Sequence, residues 1–183
     1  MSRLRRFVLV LATCQFLLCC TGSAWAASKL ELDARIRSSF DALYSDAPAA
    51  RELAAKAVAI LIFPRVYKAG AGFGGKYGEG ALMIDGAAVQ YYRVTSGSIG
   101  FQLGIQARAE VLLFMTSEAL RAFRESDGWE AGLDGSVAII QFGVGERIDT
   151  HSGRDPIIGF VYGNKGLMYD LSLEGTKYWR IVK

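Results

Sequence analysis

Cysteine is missing from every position after residue 20. Cys14, Cys19 and Cys20 all lie in an N-terminal stretch that reads as a leader. Residues 27–183 can therefore form no disulfide, offer no thiolate nucleophile and build no zinc–cysteine site. Histidine is nearly as scarce. His151 is the single one, in the loop-like run 149–153. No Asp or Glu spacing around it resembles a metal centre, and no nucleophile elbow accompanies it, so no catalytic and no metal residue is expected. Proline occurs three times, and no linker, repeat or low-complexity tract divides the chain. A surplus of charge is also missing. Three of the 21 basic residues (Arg3, Arg5, Arg6) and none of the 18 acidic ones fall in the leader, so the remainder carries 18 of each sign. A nucleic-acid binder needs a basic domain, and this is not one.

The leader has a basic start, an apolar stretch over 7–20 and a close at Ala24-Trp25-Ala26. These are the parts of a secretory signal peptide, with cleavage expected after about Ala26. The expected protein is then exported, periplasmic or envelope-associated, with one domain over 27–183. Lipid anchoring through a leader cysteine is the second reading. Acylation favours a small residue before the cysteine, and Cys14, Cys19 and Cys20 follow Thr13, Leu18 and Cys19.

Ser28-Lys29-Leu30-Glu31 has the form of a helix capping box. Leu30, Ala34, Ile36, Phe40 and Leu43 follow at near-helical spacing. Pro48 opens a second, alanine-rich helix to about Ala57. The apolar run 58–63 is expected to be a buried strand ended by Pro64. Six glycines fall within residues 70–80, followed by strand-like runs at 81–84, 89–94, 98–107 and 110–115. Asp85-Gly86 and Ser96-Gly97 mark the expected turns. Within 98–105, Ile99, Phe101, Leu103 and Ile105 alternate onto what should be a packed face. Thr116 or Ser117 can cap one short helix near 117–126, and strands are expected at 136–142, 157–162, 167–173 and 177–182. The expected fold class is α+β: a largely antiparallel, strongly twisted sheet with N-terminal helices.

Gly70-Ala71-Gly72-Phe73-Gly74-Gly75-Lys76 matches dinucleotide and P-loop patterns in spacing. Both motifs need a helix directly after the glycines, to present its N–H groups to phosphate. Tyr77-Gly78-Glu79-Gly80 does not make one, and Tyr77 stands where a P-loop carries Ser or Thr. The segment is read as glycine-rich strand with close backbone packing, and neither nucleotide nor any other cofactor is expected.

Charge is uneven along the chain. Residues 51–76 hold five bases and one acid, interleaved with Phe63, Tyr67, Phe73 and Tyr77. Residues 110–155 hold nine acids and four bases. Bases interleaved with aromatics suit an anionic membrane surface. An ordinary solvated surface over buried rings gives the same pattern.

Ile62-Phe63-Pro64-Arg65, the run 74–80 and the run 96–104 resemble successive motifs of the SYLF domain. So do 111–116 with Ala119-Leu120, then Lys165-Gly166-Leu167, then 172–175. The resemblance runs in order from about Ala54 to the C-terminus. It departs at 91–95, where the family has a tryptophan- and proline-containing stretch, and at Asp170, where glycine is common. The resemblance implies a non-catalytic lipid-binding module. Eukaryotic members bind phosphoinositide membranes, and some bind actin. Stand-alone exported bacterial members, which this chain looks like, are expected to retain affinity for anionic phospholipid, with neither actin nor nucleic acid as a partner. On the basic-aromatic segment, the expected lipid-binding residues are Arg51, Lys56, Phe63, Arg65, Tyr67, Lys68 and Lys76. The alternative is an envelope structural or protein-interaction module.

Overall fold

The computed structural model describes residues 28–46, 48–141, 155–166, 173 and 175–183. The leader and His151 lie outside them, as does the strand expected at 167–173 apart from Leu173.

Helix α1 spans Lys29–Asp46 and α2 spans Pro48–Lys56. Half of the capping box forms: the Ser28 hydroxyl accepts from the Glu31 N–H at 3.3 Å, while the Glu31 carboxylate pairs with Arg35. Leu32, Ile36 and Leu43 form the buried stripe of α1. Two polar ties dock α1 on the sheet. The Tyr91 hydroxyl donates to Asp33 at 2.8 Å, and the Tyr162 hydroxyl lies 2.7 Å from that of Ser39.

Strands β1 (Ala59–Ile84) and β2 (Ala87–Phe114) form one long antiparallel hairpin. Asp85 and Gly86 both have positive φ, 50° and 76°, as a two-residue primed turn requires. Strand β3 is Trp129–Glu130, β4 is Ala138–Gln141, β5 is Ile157–Gly166 and β6 is Lys177–Ile181. Along its free side, β2 pairs first with β6 over residues 91–95 and then with β5 over residues 106–114. All these pairings are antiparallel, but β4 runs parallel to β5, so the sheet is mixed. The α+β class holds in this broader form.

Two local expectations are corrected. Pro64 does not end a strand. It lies at a register shift between Phe63 and Val66, where the ladder needs no donor from it. Ser96-Gly97 is not a turn: Lys76 pairs with Ser96 and Gly75 with Gly97 inside the hairpin.

The hairpin folds over on itself. A Cβ on Gly80 would lie 2.1 Å from the Ile62 carbonyl oxygen, and one on Gly78 would lie 2.9 Å from the Arg65 carbonyl oxygen. The returning half of β1 thus lies against its own first half, an approach that only glycine permits. The glycine-rich stretch 70–75 forms the bend between the halves.

Two cores follow from the curl. One lies between the outer face of the sheet and the two helices, with Leu32, Ile36, Leu43, Ile62, Val111 and Phe160. The other fills the concave face, with Leu61, Phe63, Phe114, Phe123, Trp129 and Tyr178. Helix α3 (Ser117–Glu125) closes that second core through Phe123, which meets Tyr92, Phe114 and Trp129 at ring-centroid distances of 5.0, 4.9 and 5.6 Å. Thr116 caps it, its hydroxyl accepting from the Ala119 N–H at 3.2 Å.

Candidate functional site

The strand alternation decides which of the expected lipid-binding residues can reach a surface. Among the described side chains from Val66 to Gly78, even positions of β1 point into the curl and odd positions point out. Lys76 points in. Its ammonium lies 3.2 Å from both oxygens of Glu110 and 2.9 Å from the Thr176 hydroxyl. Arg108 reaches the same carboxylate at 2.7 Å. Burial lowers the Lys76 ammonium from the ordinary lysine range, against the raising pull of Glu110. Lys68 is buried in the same phase of β1 and is also partnered. Phe63 is fully buried and packs on Tyr178.

Phe63, Lys68 and Lys76 are therefore corrected as membrane contacts. Phe63 is a core ring, and Lys76 is buried in a pairing with Glu110. The missed partners, Arg108 and Glu110, have a signal in the sequence. Counting back by twos from Phe114 and Leu112 puts Glu110, Arg108 and Gln106 on the same inward face.

Arg65 and Tyr67 point outward and are exposed, the Arg65 guanidinium 3.4 Å from the Tyr67 hydroxyl. The register places further residues on this outer face: Phe73 and Tyr77 from β1, and Arg93 and Ile105 from β2. Phe73 is 76% exposed, Ile105 70%, Tyr77 48% and Tyr67 46%. The outward position of Ile105 corrects the packed face expected for it. Among the described residues, helices α1 and α2 cover the outer face near the two ends of β1 and not at the bend. Among the described residues of β1 and β2, Glu79 is the acid on this face. It is held by Lys183 at 2.7 Å and by the Tyr77 hydroxyl at 2.9 Å.

Arg51 and Lys56 lie elsewhere, exposed on α2. The Arg51 guanidinium sits over the Tyr44 ring at 5.0 Å, beside a cleft between the helices and the ends of β1. The seven expected residues thus divide into three groups: Arg65 and Tyr67 at the bend, Arg51 and Lys56 on α2, and Phe63, Lys68 and Lys76 inside. Among the described residues no group of three or more metal-ligating side chains occurs, and no helix is long and apolar enough to cross a membrane.

Residues 95–180 match the family model Ysc84, described as Las17-binding protein actin regulator. Over that segment the chain is similar to the Ysc84 (SYLF) family, in line with the resemblance read from its motifs. No curated protein matches the chain. The Ysc84 segment contains Arg108 and Glu110, α3, and strands β3 to β6. Strand β1 and the first part of β2 lie before it, yet β1 pairs with the Ysc84 part of β2 from Tyr77↔Thr95 to Ala59↔Phe114. The exposed bend straddles that boundary, with Phe73 before it and Ile105 within it.

Proposed function

We propose that the domain over 27–183 is a non-catalytic module that docks on anionic phospholipid surfaces through the hairpin bend, in an exported protein. One observation carries this reading: Phe73 and Ile105 stand highly exposed on the outer side of the hairpin about its bend, with Arg65 and Tyr67 on the strand leading into it and Tyr77 and Arg93 on the strands leading out. Exposed apolar side chains at a bend, with cations on the strands flanking it, fit the headgroup boundary. Fully burying a Phe or Ile side chain is worth about 1.5–3 kcal/mol. A cation near an anionic leaflet adds about 1 kcal/mol. Phe73, Ile105 and Arg65 together would supply roughly 5 kcal/mol, enough for reversible docking. The non-catalytic reading is supported by Lys76, Arg108 and Glu110, which are buried and paired with one another rather than presented to solvent. Export rests on the leader.

Co-sedimentation with vesicles of rising phosphatidylglycerol content tests the proposal. Binding should rise with anionic content, fall with salt and weaken in Arg65→Glu. Binding indifferent to lipid charge would remove the electrostatic half of the mechanism.

The second reading is a protein-interaction module, and the Ysc84 description names Las17 and actin. The observation favouring it is the edge of β2 between Thr95 and Gln106. There β2 is paired on one side only among the described residues, a geometry that accepts an added strand. Recovery of one protein in fixed stoichiometry from envelope extract, without vesicle binding, would favour it.

A further inference from the structure

A cleft of about 550 Å³ opens where the two ends of β1 meet the helices, away from the bend. Its volume lies within the roughly 300–1,000 Å³ of small-molecule sites. Its walls are Ile36, Phe40, Ile60 and Met83, half-buried or buried side chains that form the margin of the helix-covered core. Two guanidinium groups line it, those of Arg37 and Arg51, and Arg51 is set in place by its stacking on Tyr44. Asp85, from the hairpin turn, is the acid among the lining residues. Apolar walls with two cations to one acid select a ligand that has one apolar tail and an anionic head.

We infer that this cleft binds single-chain anionic amphiphiles, with the alkyl chain along Ile36, Phe40, Ile60 and Met83 and the head group at Arg37 and Arg51. The site goes beyond bilayer docking. It takes one molecule out of the water or the membrane, whereas the bend meets the membrane as a surface. A fatty carboxylate and a lysophospholipid share the required chemistry.

The test is calorimetric titration of the protein with monomeric octanoate, decanoate and dodecanoate, and with a lysophosphatidylglycerol of matching tail, below their micellar concentrations. One-to-one binding is expected, tightening about fourfold per methylene until the cleft is full. A neutral sugar-headed surfactant of the same chain length should bind at least tenfold more weakly. Whichever anionic head binds tighter identifies the source. Met83→Trp, which fills the cleft, and Arg51→Glu, which reverses a rim charge, should each weaken dodecanoate binding at least tenfold. Ala57→Leu is the second filling variant, should Met83→Trp fail to fold by circular dichroism. No one-to-one binding by any chain length would overturn the inference, and so would filled-cleft variants that bind as wild type. Vesicle co-sedimentation is a separate readout. Dodecanoate binding without vesicle binding contradicts the docking proposal alone, and vesicle binding without dodecanoate binding contradicts the cleft alone.

Discussion

Replacing Glu110 by alanine should destabilise the fold far more than its distance from any surface suggests. The carboxylate is shared by Lys76 at 3.2 Å and Arg108 at 2.7 Å, and the side chains of all three are 2% exposed or less. Removing it leaves two cations that have lost a partner they cannot replace with water. Breaking a buried pair in this way costs about 3–5 kcal/mol. That is a large part of a typical stability of about 5–15 kcal/mol, and for a chain of this size it lowers the melting temperature by on the order of 10 °C. The penalty should depend on pH. The Lys76 ammonium already titrates below the ordinary lysine value of 10.5, chiefly because it is buried. Between the depressed folded value and the unfolded value, the unfolded chain binds more protons, so stability rises with pH across that window. Loss of Glu110 removes the group that holds the proton on, and the window extends downward. Urea titrations of wild type and Glu110→Ala at pH 7, 8.5 and 10 should show a gap that is widest at pH 7 and narrows upward, with unchanged slopes. A gap below about 1 kcal/mol at pH 7 would refute the reasoning, and so would one that widens as pH rises.

Other substitutions probe the remaining links. Gly80→Ala should cost about 3 kcal/mol, because its Cβ meets the Ile62 carbonyl oxygen at 2.1 Å. Gly75→Ala, whose nearest neighbour is 3.9 Å away, should shift the urea midpoint little. Thr116→Ala should cost about 1 kcal/mol through loss of the cap on α3. Phe73→Ser should reduce partitioning onto anionic vesicles by about tenfold, in line with the apolar area it withdraws, and leave thermal stability within a degree or two.

The local grammar of the sequence was legible. Ser28 caps α1, the Asp85-Gly86 turn closes the hairpin, and Thr116 caps the short helix, as short-range chemistry requires. The glycine run was legible as strand, since Tyr77-Gly78-Glu79-Gly80 cannot begin a helix. The continuity of β1 and β2 was not. Pro64 and Ser96-Gly97 look like stops, and only pairing with a distant strand carries the chain through them. The site was half legible. Bases interleaved with aromatics do mark the region, and Arg65 and Tyr67 are exposed there. Which of them face outward depends on the curl of the sheet, set by Gly78 and Gly80 against residues 62–66. A lysine read along the chain looks solvated. The inward phase of Lys76, and the glutamate 34 positions later that makes its burial tolerable, appear only once the strands are in register.

The bend itself can be watched directly. Phe73→Trp, made in leader-free protein that also carries Trp179→Phe, places an indole at a position that is 76% exposed, while Trp129 stays buried and gives a constant background. On vesicles rich in phosphatidylglycerol, the added emission should shift to the blue and be quenched by acyl chains brominated near the headgroup, and neither effect should occur on neutral vesicles. If the Phe73→Trp protein binds anionic vesicles and the added emission stays that of a water-exposed indole, the hairpin bend is not the docking surface.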